Sequence, residues 1–237
     1  MTPVVLARCV EPEILDNLPE DDARAIRSRR DLQRVNKIMG NVSILDSLLS
    51  RSLKRPPSQV AELGAGDGSL LLRLAERRAR EWSNVTLCLT DRQDLVADST
   101  RAAFSDLGWT VRTVTMDVFD WLERKDHPRY DVIIANLFVH HFEIPALSRM
   151  FQAVARITNC FVACEPRRAR IALLGSHLVA AVGVNAVTRR DAVLSVHAGF
   201  RDRELTACWP DHGEWQLSET RAGLFSHAFA ATRQTNA

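Results

Sequence analysis

Two groups of residues in this chain combine types and spacings that chemistry requires. The first lies in Ser58 to Leu72, SQVAELGAGDGSLLL. Val60, Ala61 and Leu63 form a short apolar run that reads as a buried strand, and Ser69 opens a helix through Leu70, Leu71 and Leu74. Gly64, Ala65, Gly66, Asp67 and Gly68 between them make a glycine-rich turn. Glycine reaches backbone angles closed to other residues, so the chain can turn sharply and let a ligand lie against it. The helix start behind the turn offers unpaired N–H groups and a partial positive charge. The spacing is G-x-G-x-G led by Glu62, not the G-x-G-x-x-G that seats a pyrophosphate on a helix terminus. The second group is the pair His140-His141, which follows the apolar segment YDVIIAN. Imidazole titrates near neutral pH, so either ring suits proton removal from a phenol or enol.

Further acids stand where strands end. Val85 to Thr90, VTLCLT, reads as a second buried strand and ends at Asp91, about twenty residues beyond the glycine turn. A carboxylate there can accept two hydrogen bonds from a ribose diol, with Asp94 the weaker competitor. Trp109 to Met116 alternates as a third strand, and Asp117 and Val118 follow it. Asp117 also reads as an N-cap for the turn Val118-Phe119-Asp120-Trp121, and the two roles are compatible.

On these residues the chain resembles the class I (Rossmann-like) S-adenosylmethionine-dependent methyltransferases, whose first motif, D/E-x-G-x-G-x-G, Glu62 to Gly68 matches in full. The resemblance implies that Glu62, Gly64, Ala65, Gly66 and Gly68 contact S-adenosylmethionine, that Asp91 with Arg92 holds its ribose, and that Asp117 and Val118 reach its adenine. It places Asn136 under the methionine part. Asn136-Leu137-Phe138-Val139-His140-His141-Phe142 resembles the fourth motif of the menaquinone- and ubiquinone-type methyltransferases. It lacks the proline pair of base- and amine-modifying families, which counts against nucleic-acid bases and protein amides as acceptors. The stretch VTRRDAVLSVHAGFRDREL resembles polyketide-associated methyltransferases.

The expected reaction is therefore methyl transfer to an oxygen or carbon of a small, aromatic or polyketide-derived acceptor. Adjacent residues of an extended segment face opposite ways, so one histidine is expected in the pocket. His141 is the expected base or acceptor-orienting group and His140 the structural partner. His177, His197 and Arg189-Arg190 are weaker candidates for meeting the acceptor. A nicotinamide-dependent reductase would need a Tyr-x-x-x-Lys pair, which the single tyrosine, Tyr130, does not make. A non-catalytic S-adenosylmethionine-binding module and an RNA methyltransferase are the other rivals.

The elements that position these residues imply an α/β fold. We expect a seven-stranded, mostly parallel Rossmann-like sheet with helices on both faces, an antiparallel last strand and an N-terminal helical cap. Residues 1–57 form the cap and 58–237 the core, with a helical cover inserted at about 166–198. Pro3, Pro12 and Pro19 leave residues 1–30 hard to read beyond a helix from Glu20 to Arg30. Apolar residues at three- and four-residue steps from Asp31 to Leu53 predict amphipathic helix, split at Gly40-Asn41. Helices are also expected over Leu70–Arg80, Gln93–Leu107, Pro145–Ile157, Arg170–Val184 and Thr188–Val196. Tyr130–Asn136 and Asn159–Cys164 read as strands four and five, the latter followed by Glu165-Pro166. Glu204–Trp209 and Leu224–Thr232 read as strands six and seven.

Composition narrows the class. At 46% hydrophobic and 25% charged residues the chain suits a folded globular core. A net charge of +2 with no basic block argues against a dedicated nucleic-acid binder. No apolar run is long enough for a membrane span, and MTPVVLARCV lacks a signal-peptide pattern, so a cytoplasmic protein is expected. The five cysteines are odd in number and mostly in apolar segments, as in a reducing compartment. Cys160 and Cys164 fit no zinc spacing, so no metal site is expected. The oligomeric state stays open.

Overall fold

The computed structural model describes residues 6–179 and 183–234. Seven strands are β1 (Gln59–Leu63), β2 (Thr86–Asp91), β3 (Thr110–Thr115), β4 (Val132–Asn136), β5 (Cys160–Pro166), β6 (Trp215–Ala222) and β7 (Ser226–Arg233). They form one sheet in the order β3-β2-β1-β4-β5-β7-β6. The first five pair in parallel, and β7 runs antiparallel to both β5 and β6. Strand order reverses between β1 and β4, which opens a crevice at their carboxyl ends. The glycine turn and the histidine pair both leave the sheet there.

The helices are α1 (Ala23–Met39), α2 (Asn41–Ser52), α3 (Ser69–Arg78), α4 (Asp98–Asp106), α5 (Val118–Glu123), α6 (Ile144–Ile157), α7 (Arg170–Val179), α8 (Ala186–Ala198) and α9 (Glu204–Cys208). Gly40 separates α1 from α2, as expected, and does so in a left-handed conformation with φ 71°. None of the described helices is long and apolar enough to cross a membrane.

Alternating strand residues feed two cores. Ala61, Ile133, Phe161 and Phe229 face one side, where Phe151 of α6 and Trp209 pack. Val60, Ile134 and Val162 face the other, against Leu45 and Leu49 of α2 and Leu71 and Leu74 of α3. This period of two is why short apolar runs predict these strands correctly.

The helices expected over Glu20–Arg30 and from Asp31 join into the single helix α1, that expected over Arg170–Val184 is seen as α7, with residues 180–182 outside the described ones, and α8 begins at Ala186 rather than Thr188. Three further boundaries differ from expectation. Glu204–Cys208 is a short helix rather than a strand, because the Glu219 carboxylate accepts the Leu205 and Thr206 N–H groups at 3.0 and 2.7 Å and caps its first turn. Strand six lies instead at Trp215–Ala222, an edge strand whose polar outward face hides its pattern. Helix α4 begins only at Asp98, since Asp91 takes the Gln93 N–H at 3.0 Å and turns the chain before a helix can start.

The aromatic cluster of Phe151, Phe161, Trp209 and Phe229 anchors the first core, with ring centroids 5.1–6.2 Å apart. Phe151→Ala should lower unfolding free energy by about 3–5 kcal/mol in urea titrations. A loss near zero would show that the cluster is not packed as described.

Candidate cofactor and acceptor site

A cleft of about 570 Å³ lies over the carboxyl ends of β1, β2 and β4. Glu62, Gly64, Ala65, Gly66, Asp91, Arg92, Asp117, Val118, Asn136, His140 and His141 all line it, so the fold brings most of the expected site residues to one place. Gly68 stands behind the turn, where a Cβ would lie 3.1 Å from Leu89.

The glycines divide the work unequally. Gly64 has φ 66°, and a Cβ there would fall 2.1 Å from the Phe138 ring, so its bareness serves internal packing. Gly66 has φ 55° and open space where a Cβ would be. The bare backbone offered to a ligand is thus narrower than Gly64 to Gly68. It is held in shape by Asp91, whose Oδ2 accepts the Gly66 N–H at 2.8 Å.

Buried polar atoms mark what the cleft lacks. Glu62 is 2% exposed, and among the described residues its Oε2 has no partner, nor does the neighbouring Thr90 hydroxyl. Burial, with Asp67 and Asp91 close by, pushes the Glu62 carboxyl well above its usual range. An ammonium or sulfonium group suits such a wall, and a pyrophosphate laid against it would face the carboxyl groups of Glu62, Asp67 and Asp91. The residues present therefore fit S-adenosylmethionine. Asp117 caps α5 by accepting the Phe119 N–H at 2.8 Å, and it also lines the cleft. The Asn136 Oδ1 accepts from Asn41 at 3.0 Å, tying the start of α2 to the end of β4.

The histidines depart from the expected extended geometry. Leu137 takes φ 50°, an uncommon angle for a branched residue, and the chain then makes a 3-10 turn over Val139–His141. Both rings consequently reach the cleft, 4.2 Å apart between centroids. Beneath the turn lies Glu165, fully buried at the end of β5. Its Oε1 accepts the Phe138 and Val139 N–H groups at 3.0 and 3.1 Å, and its Oε2 lies 2.7 Å from His140 Nδ1. On the other side, His140 Nε2 lies 3.4 Å from Glu13 Oε1. Burial alone would lower the His140 pKa, but the hydrogen bonds that its ring donates to Glu13 and Glu165 outweigh it and raise it to about 9. Burial lowers that of His141, and the charge of His140 adds to the effect. His141 Nδ1 faces Asp16 at 3.4 Å.

Glu13 and Asp16 were invisible to sequence patterning. They sit in a segment without periodicity, which Arg8 and Arg168 strap across the cleft. Arg8 donates to the carbonyls of His140, Phe142 and Ala198 at 3.0, 2.9 and 2.8 Å, and Arg168 donates to that of Leu6 at 2.9 Å. Glu13, His140 and His141 bring donor atoms within 4.8 Å of one another, a grouping able to hold a metal ion. Both His140 nitrogens already face carboxylates, which satisfies an imidazolium without one. Of the weaker candidates, Arg189 and Arg190 are exposed, His197 lines neither cavity, and the His177 side chain lies outside the described residues.

Comparison with known proteins agrees with this geometry. Residues 60–160 match the family profile described as a methyltransferase domain. No curated protein sequence matches the chain. The fold is that of the class I methyltransferases. The plantazolicin methyltransferase BpumL in complex with SAH is similar with a TM-score of 0.64 and 11% identity, over 90% of this chain and 92% of that one. An O-methyltransferase family protein from Burkholderia thailandensis gives 0.63 and 16% identity, over 92% of this chain and 62% of that one. At such identities the likeness establishes the fold alone.

Two outcomes test the buried pair. Glu165→Ala removes the acceptor of two loop N–H groups and the partner of His140, and should cost about 3–5 kcal/mol in urea unfolding. The folded His140 pKa stands above its unfolded value, so its stabilisation is complete below about 6.5 and is lost as pH rises through about 9. A His140→Gln variant should lack that decline in stability between those pH values.

Proposed function

We propose that this chain moves a methyl group from S-adenosylmethionine to an oxygen or carbon of a small, aromatic or polyketide-derived acceptor. The observation that carries the reading is the orphaned Glu62 Oε2 beside the open backbone at Gly66, within a domain matching the methyltransferase profile. Bound S-adenosylmethionine supplies an activated methyl group whose leaving partner is a neutral thioether. Glu62, Gly64, Ala65, Gly66 and Gly68 form or shape its cradle, Asp91 and Arg92 hold the ribose, Asp117 and Val118 meet the adenine, and Asn136 lies under the methionine part.

What the chain itself contributes is positioning and proton removal. His141 is the base or acceptor-orienting group. Its lowered pKa leaves the imidazole neutral at physiological pH, with a lone pair to accept a proton. His140, raised to about 9 between two carboxylates, is charged and serves as the structural partner. Residues 1–57 act as a cap and about 166–198 as a cover over the acceptor. Five free cysteines support a reducing, cytoplasmic setting.

Calorimetry should show S-adenosylmethionine binding and no NADH binding; the reverse result would end this reading. His141→Gln should lower turnover by about 10²-fold or more while S-adenosylmethionine affinity is unchanged. Parallel loss of binding and turnover would remove the base role.

A further inference from the structure

A second cavity, of about 300 Å³, opens off the cofactor cleft and shares Glu13, Leu15, Leu32, Leu137 and Ser195 with it. Its walls are apolar, from Leu32, Val35 and Met39 of α1 to Ala172 of α7, Val196 of α8 and Phe225. Among the described residues no lysine, arginine or histidine lines it. Its two acids are Glu13, at the junction with the cleft, and Asp191, whose oxygens are taken by the Ile14 and Leu15 N–H groups at 2.9 and 3.0 Å.

One face of α8 runs along this cavity. Thr188, Asp191, Ala192 and Ser195 recur at steps of three and four, so they share that face. At one end the Ser195 hydroxyl donates to Glu13. At the other, Thr188 is 2% exposed and its hydroxyl has no partner among the described residues. A buried hydroxyl without a partner is costly, and a ligand atom that meets it removes the cost. Ala192 leaves the space between the two ends free of bulk.

We propose that this cavity binds the methyl acceptor as an elongated, uncharged, hydroxyl-bearing molecule, its hydroxyl at Glu13 and Ser195 and a second hydrogen-bonding atom at Thr188, two helical turns or about 10 Å away. The inference rests on the methyl-transfer reading and adds the acceptor's length, charge and second polar atom. It excludes carboxylic acids, because a carboxylate would enter a low-dielectric space that holds two acids and, among the described residues, no cation.

The test titrates the protein, saturated with S-adenosylhomocysteine, with 6-acetyl-2-naphthol, 2-naphthol and 6-acetyl-2-naphthoate in a calorimeter. The acetylnaphthol should bind roughly tenfold more tightly than either of the others. Thr188→Val, close to isosteric, should erase its advantage over 2-naphthol and leave 2-naphthol itself unchanged. Ala192→Phe should abolish binding of both naphthols while S-adenosylhomocysteine binds as in the wild type; should that variant not fold, Thr188→Val decides alone. Equal binding of the naphthoate, or an acetylnaphthol advantage that survives Thr188→Val, would overturn the proposal while normal S-adenosylhomocysteine binding leaves the methyl-transfer reading standing. Failure of the wild type to bind S-adenosylhomocysteine overturns both.

Discussion

The geometry at the mouth of this sheet depends on one buried carboxylate. Glu165 has no exposed surface, and it is tolerable there because its oxygens accept the N–H groups of Phe138 and Val139 and meet the His140 ring. These bonds force β4 to leave the sheet through the left-handed Leu137 and into a 3-10 turn. The same turn presses Phe138 against Gly64, so the glycine loop and the histidine loop fix each other. A carboxylate at the end of β5 thereby sets the shape of loops that follow β1 and β4.

Charge decides what the cleft can hold. Glu62, Asp67 and Asp91 crowd one wall, and burial together with the charges of Asp67 and Asp91 disfavours the ionised form of Glu62. A ligand that brings positive charge relieves this wall, and one that brings phosphates aggravates it. The G-x-G-x-G spacing and the electrostatics of the wall thus point the same way, although one is a backbone argument and the other a side-chain argument. Farther in, the cleft gives way to an apolar space, so the two cavities differ in polarity across the short distance spanned by Glu13 and Leu137.

The parts legible in the sequence are those where local pattern and burial coincide. Strands β1, β2, β4 and β5 are continuous apolar runs buried on both faces, and Glu62, Asp91 and Asn136 at the ends of the first three fall in the cleft because strand ends are where such a sheet exposes side chains. Glu204 to Trp209 misled because its apolar spacing suits a strand or a short helix, and a distant residue, Glu219, chose the helix. The orientation of His140 and His141 was unreadable for a similar reason. It follows from the Leu137 backbone and from Glu165, 25 residues after His140. Glu13 and Asp16 lie on an aperiodic segment, and only tertiary contacts with His140, His141 and Ser195 give them a role.

Arg8 bonds to carbonyls 132, 134 and 190 positions farther along the chain. A ribosome must therefore release the chain beyond Ala198 before all three bonds of the strap can form, and the sheet beneath it has to exist first. Contacts of such sequence separation form late, because chain entropy opposes them until their targets are already in place. The bonds that shield the histidine turn from the N-terminal side are accordingly among the last the chain is expected to make.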